Sequence, residues 1–443
     1  MSILDELAAT AYNLVLDLFP INRSITGEGF LESLKYIASR TSCLSIHSVP
    51  SGTQAYDWTV PLEWSISSAY IEDSHGKRIL DFRDNNLHVV GYSVPVSTTI
   101  TGKVLLEHVH SLPEQANAIP YVTSYYKEYW GYCMTHSLKE SLSEDEYYSV
   151  NISSTLKQGY MHYGEAVIGS EGTDVEEILF STYLCHPSMA NNELSGPAVA
   201  LALIRYLEPY SGLLTKRYRF LFLAETIGSV YYISRNLDML KSSVSAGYVI
   251  TCVGDERAFS FLPSRSGNTL SDIVARYVFD SLSIKPIEYT WLERGSDERQ
   301  FCAPGVDLPI ASIMRSKYGE YPEYHTSLDL PGSVVTLEGL KGSINLYSTI
   351  ISAIEVNAVY QCTITCEPML SKRDLYETIS TLSSSQNSRL LLNILTYSDG
   401  SLDLLQLSSK LSVRLQELYE AHELLESFGL ISRVSPAARA PVI

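Results

Sequence analysis

Two histidines and several acids stand where strand-like runs of this chain end, and together they could hold a divalent cation and activate water. His186 closes the apolar run EEILFSTYLCH. The stretch NNELSGPAVALAL follows, in which Asn192 or Ser195 can cap a helix and Glu193 sets a carboxylate at its positive end. Glu225 comes directly after the apolar run RYRFLFL. Partial desolvation there would lift its pKa toward the range of a general base. Asp255 and Glu256 follow AGYVITCVG, and His325 lies in YPEYHTSLD with Asp329 four residues on. Taken singly, each has an ordinary explanation as a turn histidine or a first-turn helix acid. As a set they match a Zn²⁺ donor group of two imidazoles and carboxylates, with Glu225 free to deprotonate a bound water.

The elements that must position these residues alternate. EEILFSTYLCH, RYRFLFLAET, AGYVITCVGD and VDLPIASIMR are predicted strands; GPAVALALIRYL, SVYYISRNLDML and LEGLKGSINLYSTIISAIEVN are predicted helices. Such alternation predicts an α/β fold with a mixed, mostly parallel sheet and helices on both faces. Chemistry in these folds gathers at the carboxyl ends of the strands. Residues 1–45 are predicted helical and belong with 166–365 in one discontinuous core. Residues 46–165 carry short β-like runs (Trp58–Val60, Ser68–Ile71, Arg78–Asp81, His88–Val90) among Ser, Pro, Gly and Asn, which predicts a β-rich inserted domain. Residues 366–443 contain three helical segments and a wing strand at Ser432–Val434, a winged-helix-like pattern, with SSSQNS (383–388) as a linker.

Composition narrows the function classes. A chain of 443 residues with 45% hydrophobic and 19% charged residues calls for more than one globular core. No apolar run approaches the roughly 20 residues of a membrane span, so no membrane association is expected. The acidic, amphipathic amino terminus is unlike a secretory signal, which makes the cytoplasm the expected compartment. Seven scattered cysteines, without paired CxxC spacing, fit reduced thiols. A net charge of −18 disfavours nucleic acid as a partner.

The order of these motifs, with Ser296-Asp297, Phe301 and Tyr324-His325-Thr326, resembles the zinc aminopeptidases of the co-catalytic metallopeptidase clan. More closely, LFPINRSITGEGF, VPSGTQAYDWTVPLEW, STYLCHPSMANNELSGP, ETIGSVYYIS, ERGSDERQFCAPGVDLP and MRSKYGEYPEYHTSLDL resemble a bacterial and archaeal family of aminopeptidase-like proteins. That family carries an inserted domain and a C-terminal winged helix and often occurs beside polysaccharide-biosynthesis functions. The resemblance implies a zinc-aminopeptidase-like core, with His186, His325 and Asp255 as metal ligands and Glu225 as the base. Three positions depart from the dinuclear pattern. Ser188 stands where an acid orients the first histidine, Asn192 stands at the bridging aspartate, and Thr226 at a terminal ligand. Glu193 could compensate, and one Zn²⁺ per chain is expected rather than two.

The charge group Arg294, Asp297, Glu298 and Arg299 reads either as a salt-bridged loop or as a substrate-binding set, with Arg294 and Asp297 the residues assigned to substrate. Arg315, Lys317 and Tyr318 are weaker candidates for holding an anion. Cys185 and Cys302 lack a dedicated His–acid set, which argues against a cysteine nucleophile. The last long helix carries Glu417, Glu420, Glu423 and Glu426, the wrong sign for a DNA groove and suited to protein contact or homo-oligomerisation. The expected function is metal-dependent hydrolysis of an amide or peptide bond in a small peptide or aminoacyl amide. The alternatives are a catalytically altered scaffold protein and, third, a winged-helix regulator.

Overall fold

The protein is described by a computed structural model covering residues 2–172, 175–375 and 384–434. The strands of its principal sheet are β1 (Leu44–Pro50), then β6 (Tyr160–Gly169), β7 (Glu177–Tyr183), β8 (Arg217–Leu223), β9 (Val244–Val249), β10 (Ser260–Leu262), β11 (Ile287–Glu288) and β12 (Ile310–Met314). Strands β2 (Glu63–Glu72), β3 (Arg78–Asp81), β4 (Val96–Thr101) and β5 (Tyr147–Lys157) lie between β1 and β6 in a sheet of their own. The principal sheet runs β1-β6-β8-β7-β9-β12-β10-β11. Its centre, β8-β7-β9-β12, is parallel, while β1, β6 and β10 pair antiparallel.

The central strands are apolar on both faces because both are covered. Ile178 and Phe180 of β7 and Tyr218, Phe220 and Phe222 of β8 point into one core. The intervening Leu179, Leu221 and Leu223 point into another. On the first face lie α1 (Ile3–Leu18), α2 (Glu28–Ala38) and α3 (Ser195–Leu207). On the second lies α4 (Ile227–Ser243), through Tyr232, Ile233 and Leu240. Helices α5 (Leu270–Ser281) and, beyond the short α6 (Glu298–Phe301), α7 (Leu337–Val356) complete the first layer.

Strands β2–β5 pack over their own core of Ala69, Ile71, Leu105, Tyr132, Val150 and Ile152. The principal sheet takes in residues 44–50 and 160–169, so the assignment of 46–165 to the insertion is too wide at both ends. The reason is local: β1 and β6 are paired with each other and β6 with β8, which makes them the hydrogen-bonded edge of the core. His88 ends a 3₁₀ turn (Asn86–His88) and Val89 makes one isolated bridge, so that run is not a strand.

The C-terminal unit begins earlier than residue 366. Strand β13 (Val359–Cys362) pairs with both β14 (Asp399–Asp403) and β15 (Ile431–Arg433), beside α8 (Ser384–Tyr397), α9 (Leu404–Leu411) and α10 (Leu415–Ser427). Residues 384–388 begin α8 rather than forming a linker, and residue 383 lies outside the described residues. The unit rests on α5, where the Tyr277 hydroxyl accepts from the Leu415 amide at 3.2 Å. Among the described residues, no helix is long and apolar enough to cross a membrane.

Candidate metal and hydrolytic site

The chain leaves β7 as Leu184-Cys185-His186-Pro187. The Leu184 amide bonds the Leu223 carbonyl at 3.0 Å, so this segment stays beside the end of β8. Ser188 then takes φ 46 and a turn of π-helix, Ala190–Leu194, leads into α3. A π turn rotates side chains away from their α-helical directions and often marks a functional site. Here it aims Glu193 back at His186. The Glu193 Oε2 atom lies 2.6 Å from His186 Nδ1, and Oε1 accepts the His186 amide at 2.8 Å. Glu193, expected as a ligand, thus lies against the first histidine, while Ser188 carries no carboxylate to do so. His186 Nε2 is left facing Glu225, whose Oε2 is 3.6 Å away. Arg23, buried on the other side, donates to the His186 carbonyl at 3.0 Å and to the Leu18 and Ile21 carbonyls.

Glu225 follows β8, with its carboxylate open to the cleft and Oε1 accepting from the Ser296 hydroxyl at 3.1 Å. Thr226 next to it takes φ 66, a left-handed conformation that costs a β-branched residue energy. Asp297 compensates by accepting the Thr226 amide at 2.8 Å and the Ser229 hydroxyl at 2.9 Å through one oxygen. Arg299 donates to the Thr226 hydroxyl at 2.8 Å.

His325 enters from the opposite side with φ 55. Its ring stacks on Tyr324 at 3.9 Å and lies 5.5 Å from the His186 ring, centroid to centroid. Its ring nitrogens bond no partner among the described residues. The inserted segment holds this loop in place: the Tyr121 amide donates to the His325 carbonyl at 2.9 Å, and the Ser327 amide to the Ile119 carbonyl at 2.9 Å. The Tyr121 ring then sits 4.8 Å from His186 and 5.2 Å from His325, with its hydroxyl 2.7 Å from that of Tyr125. Together with Trp58, Tyr126 and Arg299 these residues bound a cleft of about 380 Å³ that contains His186, Glu225 and His325. The tyrosine wall was not singled out in the sequence. The aromatic density of IPYVTSYYKEYWGYC was visible there, but not the pairing of residues 119–121 with the His325 loop that holds it over the cleft.

Three assigned residues lie elsewhere. Asp255 is buried, and its oxygens accept from the Arg257 and Ser316 amides, the Ser316 hydroxyl and the Asn191 side chain. Those four contacts account for its acceptor capacity, and it does not line the cleft. Arg294 is exposed, bonded to the Trp291 carbonyl and lying over that indole at 5.5 Å. Asp297 stands behind Thr226 rather than in the cleft. Arg315 bonds the Ala258 carbonyl, and the Tyr318 hydroxyl bonds Glu298 at 2.7 Å, so both serve the loops. Asp329 holds the π turn by accepting the Asn191 and Asn192 amides.

The electrostatics separate the two imidazoles. Burial would lower the pKa of His186, but Glu193 and Glu225 outweigh it and the net shift is upward. For His325, burial and then the neighbouring His186 push the pKa down to about 3, so it is neutral at pH 7. Burial raises Glu225, opposed by His186. Burial and then Glu225 raise Asp297 to about 7. The depressed His325 makes a stability prediction. Between its folded value and the ordinary 6.5 the unfolded chain binds the extra proton, so this contribution is complete above 6.5 and lost as pH falls. From pH 7 to pH 5 it amounts to about 2 kcal/mol at most. In chelator-treated protein, urea unfolding at the two pH values should show H325Q losing less stability than wild type by that amount.

Two imidazoles face the cleft as donors of the kind that zinc takes. Glu193 Oε2 at 2.6 Å and Cys185 Sγ at 3.4 Å both lie against His186 Nδ1, which leaves Nε2 turned toward the cleft, and neutral His325 brings a second imidazole to the same cleft. Among the described residues, the one group of three His, Cys, Asp or Glu side chains whose ligand atoms all lie within 4.8 Å of one another is Cys185, His186 and Glu193, and it is wholly buried; His325 lies outside that group, with its ring 5.5 Å from the His186 ring.

This fold and this strand-end site define an α/β protein of the aminopeptidase-like class. The solved zinc aminopeptidase of Bacillus subtilis superposes with a TM-score of 0.57 over 78% of this chain and 94% of its own, at 15% identity, a likeness of fold. The M28 peptidase precursor of Shewanella amazonensis gives 0.54 at 12% identity, over 79% and 94%. Residues 12–357 match the family described as domain of unknown function DUF4910, and residues 358–433 match a winged helix-turn-helix family. The chain belongs to the DUF4910 family. A Clostridium acetobutylicum relative, "Putative polysaccharide biosynthesis protein with aminopeptidase-like domain", is 40% identical over 435 residues, covering 97% of each chain. The crystal structure of a "putative peptidase" from that organism superposes with a TM-score of 0.87 at 38% identity, over 97% of both chains.

Proposed function

We propose that this protein is a metal-dependent hydrolase of amide or peptide bonds that works with one zinc ion. The observation that carries the proposal is the meeting of His186, His325 and Glu225 on one aromatic-walled cleft, with Glu193 fixing the first imidazole from behind. His186 Nε2 and His325 would hold the ion, which when bound would polarise a carbonyl and acidify a water. Glu225 takes a proton from the attacking water and returns it to the leaving nitrogen, a task for which its burial-raised pKa suits it. Ser296 holds the Glu225 carboxylate toward the cleft, and the tyrosines exclude bulk water around it. The zinc aminopeptidases that share the fold favour a peptide-like substrate. The relative's name adds that the amide could sit on a precursor used in polysaccharide assembly.

Purified protein is tested with a panel of aminoacyl and acyl amides, before and after chelation and zinc restoration. Hydrolysis that is lost with zinc and recovered with it is expected. A zinc-loaded protein that cleaves none of the panel would favour the scaffold alternative, to which the hydrogen-bonded Asp255 and the Asn192 substitution already lend weight.

A further inference from the structure

The charges around the cleft are not those a free amino terminus needs. Glu193 is bonded to His186, Asp297 to Thr226 and Ser229, and Asp329 to the π turn. That leaves Glu225, the proposed base, as the one cleft-facing carboxylate among the described residues. No carboxylate is left over to pair with a substrate ammonium group. Arg299 presents the opposite case. It is the one Arg or Lys among the cleft-lining residues described, it is exposed, and one guanidinium nitrogen is anchored by Thr226 at 2.8 Å. It makes no ion pair within 4.0 Å with an acid among the described residues, it lines the cleft, and its charge reaches Glu225 and Asp297. A guanidinium fixed at one nitrogen is pre-organised to hold a carboxylate with the others.

We propose that Arg299 selects amide substrates that carry a carboxylate, and that no ammonium group stands on the acyl side. The substrate class is then an N-acyl amino acid or a similar anionic amide, rather than a peptide with a free amino terminus. This rests on the hydrolase reading only for the cleavage step; the charge selection stands on its own.

The probes are N-benzoylalanine, its neutral amide N-benzoylalaninamide, and the cationic alanyl-alaninamide. Hydrolysis is followed with the zinc-loaded full chain, and binding with calorimetry on zinc-loaded E225Q protein. Wild type is expected to favour the acid over the neutral amide by at least about tenfold in kcat/KM, the worth of one charge-assisted pair. R299Q should bring the ratio to about one by raising KM for the acid, and R299K should fall between. Circular dichroism melting checks that each variant is folded. Carboxylate preference in binding without cleavage, lost on adding R299Q, would support the selection and sink the hydrolase reading. Equal cleavage of acid and amide by wild type would keep the hydrolase and overturn the selection. It is overturned too if R299Q lowers kcat for both equally, if the cationic probe binds best, or if no probe binds at millimolar concentration.

Discussion

Glu225→Gln is expected to lower amide hydrolysis by about 10²–10⁴-fold while the protein keeps its zinc, because removing a general base costs that much. The change is isosteric. It keeps an oxygen for the Ser296 hydroxyl and removes the charge that faces His186 Nε2 at 3.6 Å. Turnover by stopped assay, with zinc measured by inductively coupled plasma spectrometry on the same sample, separates two roles. Loss of both zinc and turnover would make Glu225 a ligand. Retention of both would remove it from the chemistry.

The second large effect concerns His186. His186→Ala is expected to bring zinc from about one per chain to a trace. It should also destabilise the fold by about 3–5 kcal/mol, because the buried Glu193 carboxylate is left without its side-chain partner. His325→Ala should lose zinc as completely with a smaller stability loss, since its ring makes aromatic contacts but no ion pair. The double variant H186A/E193Q separates these effects: stability should return in large part while zinc does not. Urea titrations monitored by tryptophan fluorescence give the first quantity. If H186A unfolds no more easily than H325A, the Glu193–His186 pair has been overvalued.

The sheet was legible in the sequence because β7, β8 and β9 are continuous apolar runs followed by amphipathic helices, which leaves few other arrangements. The strand-end residues His186 and Glu225 were legible for the same reason, since each ends such a run. What the sequence hid depended on backbone conformation and distant pairing. The π turn at Ala190–Leu194 turns the Glu193 carboxylate onto His186 Nδ1 and its amide, and nothing in NNELSG distinguishes π from α winding. Asp255 looked like a ligand because it follows the apolar run AGYVITCVG, but β9 stops at Val249 and the Ser316 amide and hydroxyl meet Asp255 from the loop after β12. Arg294 of ERGSDERQF was assigned to substrate, whereas α6 turns Arg299 toward the cleft and leaves Arg294 outside it. The insertion's boundaries were misplaced because β1 and β6 have the same mixed, half-exposed composition as the strands between them.

The most direct test is anomalous X-ray scattering at the zinc edge from crystals of the zinc-loaded, untagged chain. One peak is predicted, in the cleft between His186 Nε2 and the His325 ring. A peak behind His186 among Cys185, Nδ1 and Glu193, or none in the cleft at full zinc loading, would contradict the two-histidine site.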